Sequence, residues 1–339
     1  MAVIARSRAR RFVGLRPMEP LQDLRGVADL IEEAFAHDLD RSGQNALREL
    51  RWLSYLKPIL WWMVMFGSEH DDFLSGFVWE EEGKIVGNIT VNRITPGSRR
   101  WLISNVAVDR SYRGRGIARG LMYAALELVK EYHATSVSLQ VRADNEPARH
   151  LYESLDFKEI SGTSYLRLKP APPFRLPYFP PLPGEVKLRP HHFNSADARQ
   201  AYQLAGAATP AEVQKEWPLR QSRFRLDSQE QFFSNFFHRL VGGGPAVHWV
   251  VENGQSFVAT VNVKTGALGT PHQIELTVHP EWRGYLEKPL IGQALKYLQR
   301  WRNSPVLVKH PNEHGEALEA FHFFGFEHEQ TLLWMKQDF

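Results

Sequence analysis

No cysteine occurs among the 339 residues, which excludes disulfides, thiolate nucleophiles and cysteine-ligated zinc or iron–sulfur centres. That fits a reducing compartment, and a cytoplasmic protein is expected. No apolar run approaches the ~20 residues of a membrane-spanning helix. The longest, ILWWMVMFG from Ile59 to Gly67, reads as buried core or pocket wall. The start, MAVIARSRARRF, is arginine-rich but lacks an apolar stretch of secretory length, so it reads as a basic end rather than a signal. Neither sign of charge dominates: 41 Lys and Arg face 38 Asp and Glu, and a net charge of +3 does not call for nucleic acid. No Gly-Lys-Ser/Thr is present, so a P-loop is excluded, and no Gly-x-Ser-x-Gly marks a nucleophile elbow. His310-Pro-Asn-Glu-His314 has metal-like spacing, but Pro311 spoils a helical presentation and no metal is expected.

What is present concentrates between Ile103 and Leu121, ISNVAVDRSYRGRGIARGL. An apolar strand through Val106, Ala107 and Val108 runs by one short turn and an Arg-Gly-Arg-Gly segment into an amphipathic helix. Backbone N–H groups of the turn, the positive end of the helix and two arginines then converge, which is the composition of a pyrophosphate seat. Gly114 and Gly116 let the backbone approach phosphate oxygens without a Cβ in the way. A dinucleotide fingerprint fits poorly, because position 119 is Arg and the next glycine is Gly120. The helix is predicted from about Gly116 to Tyr132, with Ile117, Leu121, Ala125, Leu128 and Tyr132 on one face. A strand follows over Ser136–Val141.

Tyr112-Arg113-Gly114-Arg115-Gly116-Ile117-Ala118, framed by Val-Ala-Val-Asp and Ile-Ala-x-Gly-Leu-Met, resembles the acyl-CoA loop of the GCN5-related N-acetyltransferase (GNAT) superfamily. Asn145-Glu-Pro-Ala148 with Leu151-Tyr152-Glu-Ser-Leu155-Asp156-Phe157 is similar to its second signature, with Asp156 where Gly is usual. The resemblance covers roughly residues 12–169. It implies an α/β (α+β) fold, a mixed and mostly antiparallel sheet splayed near its middle and flanked by helices. Acetyl-CoA is then the co-substrate, and Arg110, Arg113, Arg115 and Arg119 form a basic patch suited to its phosphates. The resemblance places the pyrophosphate on the N–H groups of Arg113–Ala118 (Arg113, Gly114, Arg115, Gly116, Ile117, Ala118). It places the pantetheine on the backbone of Val106, Ala107 and Val108, with Asn145 as an anchor.

Acetyl transfer needs a neutral amine, a donor for the oxyanion and a proton for the departing thiolate. The resemblance assigns the last role to Tyr152. A backbone N–H near Val106–Ala107 would serve the oxyanion. No base stands on the strand, where Leu102, Ser104 and Asn105 occupy the positions that often carry Glu or His; Ser104 and Asn105 can hold a relay water. His37, Asp38, Asp40, Glu69, His70, Asp71 and Asp72 lie in two stretches that supply either a base or only solvated charge. Trp52, Tyr55, Trp61, Trp62 and Phe66 make residues 37–72, where this superfamily builds its acceptor pocket, heavily aromatic. The expected activity is transfer to a primary amine of a small molecule or peptide, and a homodimer is compatible with it. The alternative is a non-catalytic acyl-CoA-binding sensor or scaffold, which the missing strand carboxylate favours.

The length calls for two domains. Residues 170–184, PAPPFRLPYFPPLPG, hold seven prolines and read as a stiff interdomain linker between a domain over 1–169 and another over 185–339. The second repeats the first. Glu275–Lys288 aligns with Asn105–Ala118 at an offset of 170, and Ala320–Phe326 with Leu151–Phe157 at 169. Val186-Lys-Leu-Arg resembles a first strand, and Asn253-Gly254 closes a predicted hairpin. The chemistry is degraded in this copy: Gly116 becomes Leu286, Ala118 becomes Lys288, Tyr152 becomes Phe321 and Asn145 falls against His314, so this half is expected to be inactive.

Overall fold

The computed structural model describes residues 13–34, 75–169, 176–192, 194–224, 246–266, 270–301 and 304–339. The aromatic stretch 37–72, with its candidate bases, lies outside the described residues. The chain divides into two compact units. The first runs to Gln140 and adds Pro147–Lys158 and Met335–Phe339; the second holds Val141–Glu146 and Glu159–Trp334.

In the first unit, strands β1 (Gly14–Pro17), β2 (Gly76–Glu81), β3 (Lys84–Arg93), β4 (Arg100–Val108) and β5 (Ser136–Arg142) lie in that order. All neighbours are antiparallel except β4 and β5, which are parallel. Helix α1 (Pro20–Ala34) precedes β2, and α2 (Ile117–Glu131) follows β4. Helix α2 starts and stops where its glycine turn and apolar stripe predict. Its buried face is Ile117, Leu121, Met122, Ala125, Leu126 and Val129. Leu128 is half-buried and Tyr132 is 52% exposed, because Tyr132 is already the C-cap beyond the last turn. There its ring meets Trp101 of β4 at a centroid distance of 5.6 Å.

Two glycines let α2 seat closely. A Cβ on Gly87 of β3 would stand 2.8 Å from Ile117 Cγ2 and 3.1 Å from Leu121 Cδ1, and one on Gly120 would meet the Trp79 ring at 3.0 Å. Gly87→Ala is therefore expected to cost about 1–3 kcal/mol through overpacking, read as a lowered unfolding midpoint in denaturant.

Helix α3 (Glu146–Glu153) ends in a Schellman motif. Phe157 N–H donates to Tyr152 C=O (3.1 Å) and Asp156 N–H to Glu153 C=O (3.0 Å), with Asp156 in the left-handed region at φ +64°. Tyr152 and Phe157 supply the apolar contact that accompanies such a cap, ring centroids 6.1 Å apart. Asp156→Gly is expected to stabilise the chain by about 0.5–1 kcal/mol, by relieving the side-chain penalty of that conformation. An unchanged thermal midpoint would show that Asp156 is already at ease.

In the second unit the order is β12 (Glu327–Asp338), β6 (Lys158–Leu168), β11 (Val306–Pro311), β10 (His272–Val278), β9 (Ser256–Lys264), β8 (Val247–Asn253) and β7 (Lys187–Pro190). Its helices are α4 (Ser195–Ala208), α5 (Ala211–Glu216), α6 (Glu287–Leu298) and α7 (Gly315–Phe323). Gly254, at φ +62°, closes the β8–β9 hairpin as expected. Strand β6 precedes the proline-rich stretch in sequence, yet it pairs antiparallel with β11 from Leu168↔Val306 to Thr163↔Pro311. Nor is the described part of that stretch a free spacer: Leu176, Phe179 and Leu182 pack on the second unit's core. The Phe179 ring lies where a Cβ on Gly292 would be, 2.6 Å away, and its edge meets Phe324 at a centroid distance of 5.8 Å.

The repetition extends to contacts that the letters do not advertise. In the first unit Arg16 donates to both Asp23 oxygens (2.6 and 2.8 Å) and to Glu80 (2.9 Å), while Asp23 also accepts from Glu19 N–H. In the second, Arg189 donates to both Asp197 oxygens (2.7 and 3.0 Å) and to Glu252 (2.9 Å), and Asp197 accepts from His192 N–H. Burial would push the Asp197 carboxyl up, but the Arg189 bonds, the His192 N–H and the guanidinium charge hold it below the usual carboxylate range. In each unit the arginine thereby ties a first strand to the helix after it and to the second strand.

Candidate active site

Strand β4 carries a β-bulge. The register with β3 pairs Asn88 with Ala107 and Thr90 with Ser104, so Ile89 alone faces both Asn105 and Val106. Asn105 absorbs the extra residue at φ +53°. The bulge is held by polar groups that the sequence reading passed over: Asn88 Nδ2 donates to Asn105 C=O (3.0 Å), and Asn105 Nδ2 to Thr90 Oγ1 (3.3 Å). Their signal was two polar residues inside an otherwise apolar strand, one of them, Asn88, fully buried. On the other side, the β4–β5 ladder ends at Ile103↔Leu139. Past Ile103, residues Ser104, Asn105, Val106, Ala107 and Val108 thus part from β5 while β4 stays paired with β3 on either side of the bulge.

Past the bulge, Asp109 turns the chain. Buried at 4% exposure, it accepts from Ser111 N–H (2.9 Å) and from Lys84 Nζ (2.6 Å). The Lys84 bond holds its carboxyl below the ordinary range against the cost of burial. A single 3-10 turn, Arg110–Tyr112, then leads to Gly114 and Gly116 at φ +77° and +79°. Gly116 is the N-cap of α2 and no side chain caps that helix, so its first N–H groups carry no side-chain partner. Arg113, Gly114, Arg115 and Gly116 are exposed, Ala118 is half-buried, and Ile117 is buried as the helix's first core contact.

Arg113 Nε donates to Val108 C=O (3.2 Å). Arg115 donates to Ser111 C=O (3.1 Å) and lies over the Tyr112 ring at 4.7 Å. Among the described residues, none of Arg110, Arg113, Arg115 and Arg119 forms an ion pair, so a cationic rim surrounds uncapped amides. Those are the properties a diphosphate requires.

Arg119 Nη2 donates to Ser154 Oγ (2.9 Å), joining the first turn of α2 to the residue just past α3. Tyr152, two residues earlier, is 5% exposed, and burial pushes its hydroxyl up to about 12. It therefore stays protonated across the physiological range. Asn145 is exposed and belongs to the segment counted with the second unit, where its N–H bonds Arg142 C=O at 3.0 Å. The loop, the bulged strand and Tyr152 belong to the first unit.

In the second copy the turn persists and the site does not. His279 replaces Asp109 as the cap of a 3-10 turn, and Gly284 keeps φ +85°. Leu286, however, is a fully buried right-handed N-cap in the place of Gly116. Strand β10 pairs with β9 without interruption from Gln273↔Lys264 to Val278↔Ala259, so the bulge is gone. One residue is thereby lost. By sheet register Glu275 corresponds to Ser104 and not to Asn105, a correction to the unbroken offset of 170.

A bulged central strand, a splayed ladder and a glycine turn feeding an uncapped helix define the GNAT fold. Residues 32–157 match the family model described as "Acetyltransferase (GNAT) family", and this part of the chain is similar to that family. It is 34% identical over 94 residues to an N-alpha-acetyltransferase of Sulfurisphaera tokodaii, covering 25% of this chain and 56% of that protein. A mycothiol acetyltransferase of Brachybacterium faecium is 38% identical over 94 residues, covering 27% of this chain and 25% of the relative. The chain thus spans about half or less of the curated relatives' length. Solved structures extend the likeness in fold alone. A GCN5-related N-acetyltransferase from Sphaerobacter thermophilus aligns at TM-score 0.62 and 16% identity, over 96% of this chain and 95% of that one. A tandem GNAT protein from the clavulanic acid biosynthesis pathway aligns at 0.55 and 17%, over 96% and 98%.

Proposed function

We propose that residues 1–169 carry an acetyl-CoA-dependent N-acetyltransferase acting on a primary amine, and that residues 185–339 no longer transfer acetyl groups. The observation that carries this reading is the turn from Arg113 to Ala118, with two left-handed glycines, uncapped amides and arginines that form no ion pair among the described residues. It is supported by relatives named as N-alpha-acetyltransferases and by the end of the β4–β5 ladder at Ile103↔Leu139, past which β4 is not paired with β5.

In this reading the diphosphate of acetyl-CoA sits on the amides of 113–118, and its pantetheine amides pair with the open edge of β4 as an added strand. The bulge turns a backbone N–H near Val106–Ala107 toward the thioester oxygen, to stabilise charge as the amine adds. The nitrogen forms a bond to the carbonyl carbon, and the carbon–sulfur bond breaks. The thiolate takes its proton from Tyr152, and the amine's proton leaves through water held at Ser104 and Asn105. No carboxylate or imidazole stands on that strand, so the amine arrives neutral or is deprotonated by such a water.

The same gap favours a second reading, a protein that binds acyl-CoA without turning it over. Incubating the full-length chain with acetyl-CoA and a mixed panel of primary amines, and following thiol release, separates the two. Release that depends on one amine supports transfer. Tight binding of acetyl-CoA with no release for any amine would establish the sensor, and no binding at all would remove both.

A further inference from the structure

The second unit carries a half-open pocket of about 340 Å³ beside β10, lined by its residues Glu275–Val278. It occupies the place where the first copy opens its sheet, but Leu286 and the unbulged strand make it unsuited to acyl-CoA. Its volume lies near the lower end for small-molecule pockets, room for a metabolite of amino-acid size and not for a nucleotide.

Three features give the cavity a defined chemistry. First, Arg283 lines it with no carboxylate partner among the described residues. Its Nη atoms reach only the carbonyls of Glu313 and Ala208, both at 3.3 Å, and its buried Nε has no partner. Second, a buried chain of side chains ends at the cavity. Glu287 Oε1 meets His314 Nε2 at 2.7 Å, and His314 Nδ1 meets His310 Nε2 at 2.9 Å; the three residues are 1%, 3% and 1% exposed. With His314 neutral, its Nε2 donates to the Glu287 carboxylate and its Nδ1 accepts from His310 Nε2. That leaves His310 Nδ1 as an acceptor on a nearly fully buried ring that lines the cavity, with no protein partner among the described residues. Third, Glu275 adds a negative charge to the same wall, held by Lys264 and Asn262 at 3.4 and 3.3 Å. Val213, Leu276 and Trp334 supply apolar surface.

A cation without a carboxylate partner among the described residues, an accepting nitrogen and a carboxylate around one small space complement a zwitterion. We propose that this cavity binds a free amino acid, its carboxylate on Arg283 and its ammonium between His310 Nδ1 and Glu275. The degraded copy is then a ligand-binding domain rather than an inert duplicate. This inference does not rest on acetyl transfer by the first half.

The test titrates the full-length chain with each of the twenty free L-amino acids, and with the decarboxylated amine of any that bind, by calorimetry. At least one amino acid is expected to bind with one-site stoichiometry, and its amine counterpart to bind about tenfold or more weakly, the loss of a charge-assisted pair. Arg283→Gln is expected to weaken binding by a similar factor. Glu275→Gln, at an exposed side chain that cannot upset the fold, is expected to weaken it by about threefold to tenfold; the thermal midpoint serves as folding control for both. Absence of binding for all twenty, or affinities unchanged in both variants, would overturn the assignment.

Discussion

Valine at position 116 is expected to weaken acetyl-CoA binding by about 100-fold or more, because it adds a β-branched side chain to a left-handed residue whose amides should face phosphate. Gly116 stands at φ +79° with nothing within 4 Å of an added Cβ, so the substitution meets no packing obstacle. Its costs are backbone strain of about 1–3 kcal/mol and a methyl-bearing carbon in the space where the oxygens must approach. Gly284→Val separates these two effects. Gly284, at φ +85°, is equally open around its Cβ but belongs to the degraded turn. It should lower the thermal midpoint comparably and leave acetyl-CoA affinity unchanged. If Gly284→Val weakened binding as much as Gly116→Val, the diphosphate seat would not be at residues 113–118.

Tyr152→Phe is expected to lower kcat by about 100- to 1,000-fold, with the KM for acetyl-CoA and the thermal midpoint near those of the parent. The second copy shows why the fold should tolerate it. Phe321 holds the same place in a Schellman motif, with Phe326 N–H on its carbonyl at 3.1 Å, Gly325 at φ +84° and ring centroids 5.1 Å apart. The ring supports the helix end, so the substitution removes the hydroxyl alone. A second signature lies in alkaline unfolding. Burial pushes the folded hydroxyl up to about 12, whereas a tyrosine in the unfolded chain titrates near 10. Above that lower value the unfolded state has lost a proton the folded state keeps, so stability falls between pH 10 and 12. The phenylalanine variant should lack that contribution to the loss. Unaltered turnover in Tyr152→Phe would assign the leaving-group proton elsewhere.

Much of the first unit was legible because the pertinent signals are local. A strand, a turn with glycines at 114 and 116, and a helix from Ile117 to Glu131 each follow from neighbouring letters, as does the cap at Asp156. The bulge was not legible, since it exists only in the register of two strands and leaves no mark but an unmatched residue near Asn105. Reading Glu275 against Asn105 failed for the same reason. The Arg16–Asp23–Glu80 cluster spans 64 positions, and its counterpart at Arg189, Asp197 and Glu252 has slightly different spacings, so neither stood out before folding. The buried Glu287–His314–His310 chain was hidden likewise. His310 and His314 drew notice only as a weak metal pattern, and Glu287 lies 27 positions from His314, which it meets.

Strand β6 belongs by sequence to the first copy and by hydrogen bonding to the second unit, while Phe339, the last residue, donates its N–H to Thr135 of the first unit. A gene cut anywhere in the proline-rich stretch would therefore yield two fragments, each missing an end piece that the other carries. Co-expression of such fragments should restore what neither delivers alone. Removing the second copy is then expected to take the Met335–Phe339 piece away from the first unit as well.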